Sequence, residues 1–479
     1  MGPNAGVERR DAASQYVKNE SMVFGLDLKK IVIIGAGLTG LSAAYHLDHE
    51  RTNRCFSFNI LEACDRPGGL CRTEEEKGFL FDYTGHLIHF KTLYFENLVR
   101  KLLSPNLARH NRRAWIYSHG VYTPYPFQAN LYGLPQGVVL ECLFEFCKVY
   151  FSERKKSIKT FNDWILANFG KGIARHFMIP YNLKLWRHHP SEMTCDWLER
   201  FVPKPDLKRV IQGAIGNTGG ALGYNAYFYY PKEGGIESLS RALTNGKSHI
   251  HVGQEVSRIS LNPRMVYTKQ GSVHPFDILV STMPVKELIQ IIDPKPRSVN
   301  EAANNLNYVS LLNINFGIKG KMAKKHWVYI PEKHLIFYRI GFPSNFSRKT
   351  VPTGYSSIYT ELSYDHKKGI DHGWAKEKVI ADLVTMGLIK GRSEIVAEKV
   401  LDIPFAYVIY DSHRKQSLSE IEDFLAREGI FSAGRYGAWK YSTMEDAVLD
   451  GKKIAAAIGK ICKTGLISEP KETKIGGIV

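Results

Sequence analysis

The chain has 479 residues, 44% of them hydrophobic, and Lys plus Arg outnumber Asp plus Glu by 64 to 47, for a net charge of +17. That length and apolar content fit a folded protein of two or three lobes and exclude a disordered chain. The most apolar stretch, Leu134 to Phe151, is interrupted by Glu141, Glu145 and Lys148, which argues against a membrane-spanning helix and predicts a buried or amphipathic one.

Residues 1–28 are polar and lack an apolar core followed by a small-residue cleavage site, so they read as a flexible leader and not as a secretory signal. The seven cysteines, at 55, 64, 71, 142, 147, 195 and 462, form neither a metal-ligand spacing nor a disulfide framework. No metal is expected, and a reducing, cytoplasmic setting is. The positive field attracts anions such as nucleotides or an anionic membrane surface. Its residues are spread along the chain, with only modest clusters such as Arg154-Lys155-Lys156 and Lys324-Lys325, whereas a nucleic-acid domain concentrates them on one element. Nucleic acid is therefore not an expected partner.

Lys30 to Ile34 is a β-branched run without alternation, the pattern of a parallel strand buried on both faces. Gly35 ends it, the pattern turns helical from Leu38 to His46, and Phe58 to Glu62 supplies a second strand, completing a βαβ unit. The fold class is α/β: a Rossmann-type dinucleotide-binding domain formed by 29–91, 232–300 and 425–462, a largely helical lobe inserted at 92–231, and an antiparallel-sheet substrate domain at 301–424. Strand signals within it are His249 to Ile259 and Asp277 to Ser281 for the first domain, and alternating Leu311 to Phe316 and Ser356 to Leu362 for the sheet, where one buried face is expected. A helix over 444–458 and a polar tail over 463–479 close the chain.

Gly35-x-Gly37-x-x-Gly40 sits at the strand-to-helix turn of this unit. The first glycine permits the turn, the second lets backbone approach a pyrophosphate, and the third allows close helix–strand packing, with Leu38 and Thr39 opening the helix toward the phosphates. Glu62 follows Gly40 by 22 residues, where its carboxylate can accept from ribose hydroxyls. Directly after it comes Arg66-Pro67-Gly68-Gly69-Leu70-Cys71-Arg72, which resembles the segment that runs beside the diphosphate and ribityl chain of FAD in the amine-oxidase superfamily. The resemblance implies FAD as cofactor, held by Gly69, Leu70 and Arg72, with Val256 beside the adenine.

Further segments are similar in order and spacing to flavin-dependent UDP-galactopyranose mutases, especially the eukaryotic type: Pro124 to Gln128, Pro180 to Trp186, Gly223 to Ala226, Phe228 to Pro231 and Gly434 to Tyr441. The resemblance spans about residues 29–460. It implies a mutase of polysaccharide biosynthesis that interconverts pyranose and furanose forms of a nucleotide-diphosphate sugar, with N5 of the reduced flavin attacking the anomeric carbon and an electron donor such as NAD(P)H keeping FAD reduced. Arg339, Tyr407 and Tyr441 match the family's diphosphate-binding residues. Arg435, after Gly434, matches an arginine near cofactor and diphosphate. Tyr125 and Gln128 match positions at the uracil end, and Asn225, Trp327 and Tyr329 match residues lining the cleft. His86 matches a histidine beside the isoalloxazine ring, where an imidazole titrating near neutrality would respond to flavin protonation.

Three positions depart from that pattern. Ile179 stands where the family has an arginine near the flavin, Thr84 where it has the first glycine of a Gly-Gly-His loop, and Ser442 to Asp446 where it has an Asn-Gln-Asp-His run. These keep a second reading open, an FAD-dependent oxidoreductase of the amine-oxidase superfamily.

Overall fold

The computed structural model describes residues 28–49, 55–152, 157–198, 202–216, 226–244 and 249–464. Asn225, the leader up to residue 27 and the tail from residue 465 lie outside the described residues.

The first strand, β1 (Lys29–Ile34), has its last four residues buried, as its unbroken Ile-Val-Ile-Ile run requires. It leads through the glycine turn into α1 (Leu38–His49) and returns as β2 (Phe56–Leu61). These belong to a five-stranded parallel sheet in the order Ile430–Ser432, Ile278–Ser281, β1, β2, Ile250–His251. Side chains of Ile33, Ile60 and Val280 lie in register at its centre and are fully buried. The helix Met444–Thr464 packs along α1 and continues past the expected end at 458. Gly451 permits that closeness, since a Cβ there would sit 2.5 Å from the Thr39 carbonyl oxygen. Leu41, Ala44, Leu47, Val448 and Ala455 fill this part of the core.

The stretch expected as one strand at 249–259 divides. Ile250–His251 joins the parallel sheet, and Val256–Leu261 enters a four-stranded sheet with Arg264–Thr268, Val273–Pro275 and Ile292–Asp293. The region 92–231 is helical over most of its described length, but Ala114–Ser118 and Val121–Pro124 form one edge of the seven-stranded sheet. The rest of that sheet runs Trp327–Tyr329, Arg339–Gly341, Tyr355–Tyr364, Tyr308–Lys319, Ile395–Val408.

Alternation in the two long central strands predicts one buried face, and the structure corrects this: both faces of Tyr308–Lys319 and Tyr355–Tyr364 are covered. Leu312, Ile314 and Phe316 pack beneath the helix His372–Thr385, while on the opposite face Leu311 lines the cavity described below and Asn313 accepts from the Thr84 backbone. Burial of Asn313 and Asn315 is offset by internal hydrogen bonds from their amide groups, although Asn315 Oδ1 has no partner among the described residues. Asn315 Nδ2 donates to Asn313 Oδ1 at 2.8 Å, and Asn313 Nδ2 donates to the Thr360 carbonyl at 3.1 Å. No helix among the described residues is long and apolar enough to cross a membrane.

Candidate active site

A cavity of about 620 Å³ runs from the carboxyl ends of β1 and β2 to the seven-stranded sheet. Its position is the one open parallel sheets provide, beyond the carboxyl ends of the strands. At the near end it is lined by Gly35, Gly37, Leu38, Thr39 and Glu62, then by Gly69, Leu70 and Val256. Gly40 lies behind the lining, where a Cβ would fall 2.0 Å from the Gly35 carbonyl oxygen, so its role is the close packing expected of the third glycine.

Glu62, 7% exposed, is fixed by two backbone amides: Ala36 N–H donates to Oε2 at 2.6 Å and Cys64 N–H to Oε1 at 2.9 Å. The Gly68-Gly69 turn bridges to Gly37, and a Cβ on Gly69 would approach the Gly37 Cα to 3.1 Å, so two stretches of bare backbone meet at the mouth of α1. First-turn amides of a helix have no intrahelical acceptor and face outward as anion donors. Arg72 departs from expectation. Its Nε donates to the Gly69 carbonyl at 3.1 Å and its Nη2 to the Tyr83 hydroxyl at 3.1 Å, with the guanidinium 5.1 Å from the Tyr83 ring centre, so it braces the glycine turn from behind instead of lining the cavity.

The far end is made of side chains. Trp327, Tyr329, Arg339, Tyr407, Gly434, Arg435 and Tyr441 all line it. Arg339 and Glu361 are direct cross-strand partners, and Nη2 donates to Oε1 at 2.5 Å, although Glu361 is fully buried and Arg339 is 21% exposed. The Tyr338 hydroxyl donates to the other carboxylate oxygen at 2.5 Å, and Tyr407 lies 3.3 Å from that hydroxyl. Tyr407 and Tyr441 stand nearly parallel, their ring centres 6.1 Å apart, with the Arg435 guanidinium 5.3 and 5.0 Å from them. Arg435 is anchored by donating to the Ala406 carbonyl at 2.8 Å and the Ser442 carbonyl at 3.0 Å.

His86 lies between the two ends. Its Nδ1 donates to the Tyr83 carbonyl at 2.5 Å, which leaves Nε2 as an acceptor. Burial, and after it the charges of Arg435 and Arg339, pushes its pKa down to about 4, so the ring does not titrate near neutrality as expected. Thr84, two residues earlier, holds φ at 69°, a left-handed conformation that glycine adopts freely and a β-branched residue does not. Its N–H donates to Asn313 Oδ1 at 3.2 Å, and the next residue, Gly85, could not carry a Cβ without meeting the Tyr359 hydroxyl at 2.3 Å.

Two expected substrate contacts are placed elsewhere. Gln128 is 2% exposed and donates to the Pro203 carbonyl at 2.7 Å, which fixes it in the core of the helical lobe. Tyr125 packs tilted behind Tyr329, ring centres 4.9 Å apart, under the guanidinium of Arg112, and supports the lining instead of forming it. Ile179 also lies away from the cavity, facing a separate surface hollow with Lys171, Arg175 and Lys333. Sequence reading missed Glu361 and Tyr338. The signal available was an acid within an otherwise apolar and hydroxylic strand, but no spacing in the chain links it to Arg339.

These features fit FAD. The cavity offers bare backbone at a helix mouth, an amide-held carboxylate at the end of β2, and buried polar atoms at its far end, Arg339 Nε and Ser442 Oγ, that have no hydrogen-bond partner among the described residues. The class so defined is a Rossmann-type flavoprotein. The model of the flavin containing amine oxidoreductases matches residues 38–459, and the chain belongs to that family. Its cofactor is FAD. Among solved structures, it is similar to a reduced UDP-galactopyranose mutase, at 28% identity and a TM-score of 0.86, covering 94% of this chain and 98% of that one. A fatty acid isomerase from P. acnes shares the fold at 14% identity and a TM-score of 0.63, covering 91% of this chain and 99% of that one. A coproporphyrinogen III oxidase from Staphylococcus aureus is 41% identical over 54 residues, which span 11% of this chain and 11% of the relative.

Proposed function

We propose that the chain is a flavin-dependent mutase that interconverts the pyranose and furanose forms of a nucleotide-diphosphate sugar. The observation that carries this reading is the convergence of Arg339, Arg435, Tyr407 and Tyr441 on the far end of the cavity. Two guanidinium groups beside two phenols suit a diphosphate, whose charge grows as it departs. An amine or hydrocarbon substrate would have no use for them.

Reduced FAD supplies the nucleophile for the anomeric carbon, so the protein needs no nucleophilic side chain. What remains for the chain is binding, orientation and proton placement. Glu361, held by Tyr338, takes one edge of Arg339 and leaves Nε for a phosphate oxygen. Tyr407 and Tyr441 donate to the same group, and Trp327, Tyr329 and Tyr359 wall the sugar from water. Neutral His86, with Nε2 unprotonated, accepts a hydrogen bond from a sugar hydroxyl or from the cofactor.

A second reading, hydride transfer from a substrate to flavin, draws on the helix Met444–Thr464. Ser442, Thr443 and Met444 line the cavity at its start, in place of the run that the mutase resemblance implies. Reduction of the purified protein with dithionite under nitrogen, incubation with a panel of nucleotide sugars and chromatography of the products separates the two. Furanose product formed only in the reduced state is expected. No isomerisation, together with a substrate that bleaches oxidised flavin and yields peroxide in air, would sink the mutase reading.

A further inference from the structure

The segment Pro180 to Trp186, most of the helix Ile179–Trp186, packs against the far end of the cavity without lining it. From this helix Lys184 reaches the turn that joins the strands Trp327–Tyr329 and Arg339–Gly341. Its Nζ donates there to the carbonyls of Ile330 at 3.1 Å, Glu332 at 3.0 Å and Phe337. One turn earlier on the same face, the Tyr181 ring stands edge-on to Tyr329 and Tyr338, with ring centres 5.5 and 6.1 Å apart. The turn is closed by Ile330 N–H donating to the Tyr338 carbonyl at 2.8 Å, and Tyr329 and Arg339 are direct cross-strand partners. One ammonium thus fixes the connection between two cavity-lining residues that stand side by side.

No ion pair accounts for the charge on Lys184. The two carboxylates that favour it are engaged elsewhere: His119 N–H donates to Glu332 Oε1 at 2.7 Å, while Asp382 accepts from Ile336 N–H at 2.6 Å and pairs with Lys378. Burying an ammonium costs free energy, and an apolar side chain of similar length would fill the space without that cost. What the ammonium adds is three donors, one for each carbonyl of the turn. A neutral amine keeps two and turns a lone pair toward the third oxygen. Burial, opposed by the charges of Asp382 and Glu332, pushes the Lys184 pKa down to about 7, so the hold on the turn weakens as pH rises above neutrality.

We propose that Lys184 is a positioning residue for the diphosphate end of the site: it holds the turn from Ile330 to Phe337 so that Tyr329 and Arg339 meet the substrate together. The inference rests on the nucleotide-diphosphate reading of that end. The test is calorimetric titration of the FAD-loaded protein with UDP, from pH 7 to pH 9, on the wild type, Lys184→Met and Lys184→Arg. UDP is ionised over this range, and burial raises the Tyr329 and Tyr407 hydroxyls above their ordinary value, so they keep their protons. The wild-type dissociation constant is expected to rise several-fold across the interval. Lys184→Met is expected to bind about tenfold more weakly at pH 7, the scale of a lost charged hydrogen bond, with no such pH dependence and with unchanged flavin absorbance per chain. Lys184→Arg, charged at every pH used, is expected to bind better than Lys184→Met and equally well at pH 7 and pH 9. Wild-type affinity in Lys184→Met overturns the proposal, and so does a loss of flavin in step with UDP, which would make Lys184 a support of the whole fold. Should Lys184→Met not fold, the wild-type pH series decides: a constant affinity overturns the proposal, and a loss absent from Lys184→Arg supports it. A wild type that binds no UDP overturns the nucleotide-diphosphate reading and this proposal with it, whereas equal binding by wild type and Lys184→Met overturns this proposal alone.

Discussion

At the Glu62 end the cavity is made of backbone: amides fix the carboxylate, glycines at 35, 37 and 69 leave room for close approach, and α1 opens toward the space. At the Arg339 end it is made of side chains carried by strands and helices as far apart in the chain as Trp327 and Tyr441, held by one buried ion pair, a tyrosine hydroxyl and a stacked aromatic pair. Backbone geometry tolerates almost no substitution at the positions that create it but is indifferent to most others. A side-chain network can be loosened one group at a time, and each loss should scale with the charge and burial of the group removed.

The largest effect is therefore expected at the backbone end. Gly40→Ala would drive a methyl group to 2.0 Å from the Gly35 carbonyl oxygen and force β1 and α1 apart. Purified protein should lose its bound FAD, read as visible flavin absorbance per chain. Retention at the wild-type ratio would show that the glycine turn is not the anchor.

At the other end, Arg339→Ala leaves the fully buried Glu361 without its cationic partner. Breaking such a pair costs about 3–5 kcal/mol of stability. Loss of the charged hydrogen bond to phosphate should separately weaken nucleotide-diphosphate binding by about 1.5–3 kcal/mol. Adding Glu361→Gln should recover much of the melting temperature but none of the affinity measured by calorimetry. Recovery of both would mean that Arg339 serves only to neutralise the acid.

Acid should act on buried titratable groups, two of which, His86 and His89, line the cavity. Burial holds His86 and His89 at about 4 and His326 at about 3, below the ordinary 6.5. Between those values and 6.5 the unfolded chain binds protons that the folded one does not, so stability falls as pH is lowered from 6.5 toward 4. Asp82 acts in the opposite sense. Burial raises its carboxyl to about 6 from 3.8, so lowering pH across that interval favours the fold. Three histidines against one carboxyl leave a net loss, expected as a melting temperature several degrees lower at pH 5 than at pH 7. An unchanged value would place these rings in contact with water.

The smallest effect is expected for Tyr407→Phe, which keeps the ring stacked near Tyr441 and removes one neutral donor, worth about 1 kcal/mol. Affinity for UDP should fall about fivefold by the same measure. A loss as large as that of Arg339→Ala would mean that the hydroxyl also maintains the Tyr338–Glu361 contact.

Much of the first end was legible in the chain because its determinants are local. A β-branched run, glycines at fixed offsets and an acid at the end of the next strand describe a βαβ unit whose geometry follows from short-range sterics, and Gly35, Gly37 and Glu62 stand where those rules put them. Arg72 shows the limit of even local reading: the adjacent glycine turn was legible, but only the fold brought Tyr83 within reach of its guanidinium.

Farther from the turn, residues could be named by resemblance but not located. Gln128 and Tyr125 lie in or behind the wall because the helical lobe and the Arg112 guanidinium claim them. The alternation of Leu311 to Phe316 was correctly antiparallel, but whether its polar face met water or a second core depended on what the rest of the chain laid over it. Taken alone, then, the sequence determined the parallel sheet, the glycine turn and the carboxylate beyond it, since those follow from neighbouring residues. Tertiary structure decided the pairing of Arg339 with Glu361 and the depressed pKa of His86, because ion pairing and desolvation depend on atoms brought together from distant parts of the chain.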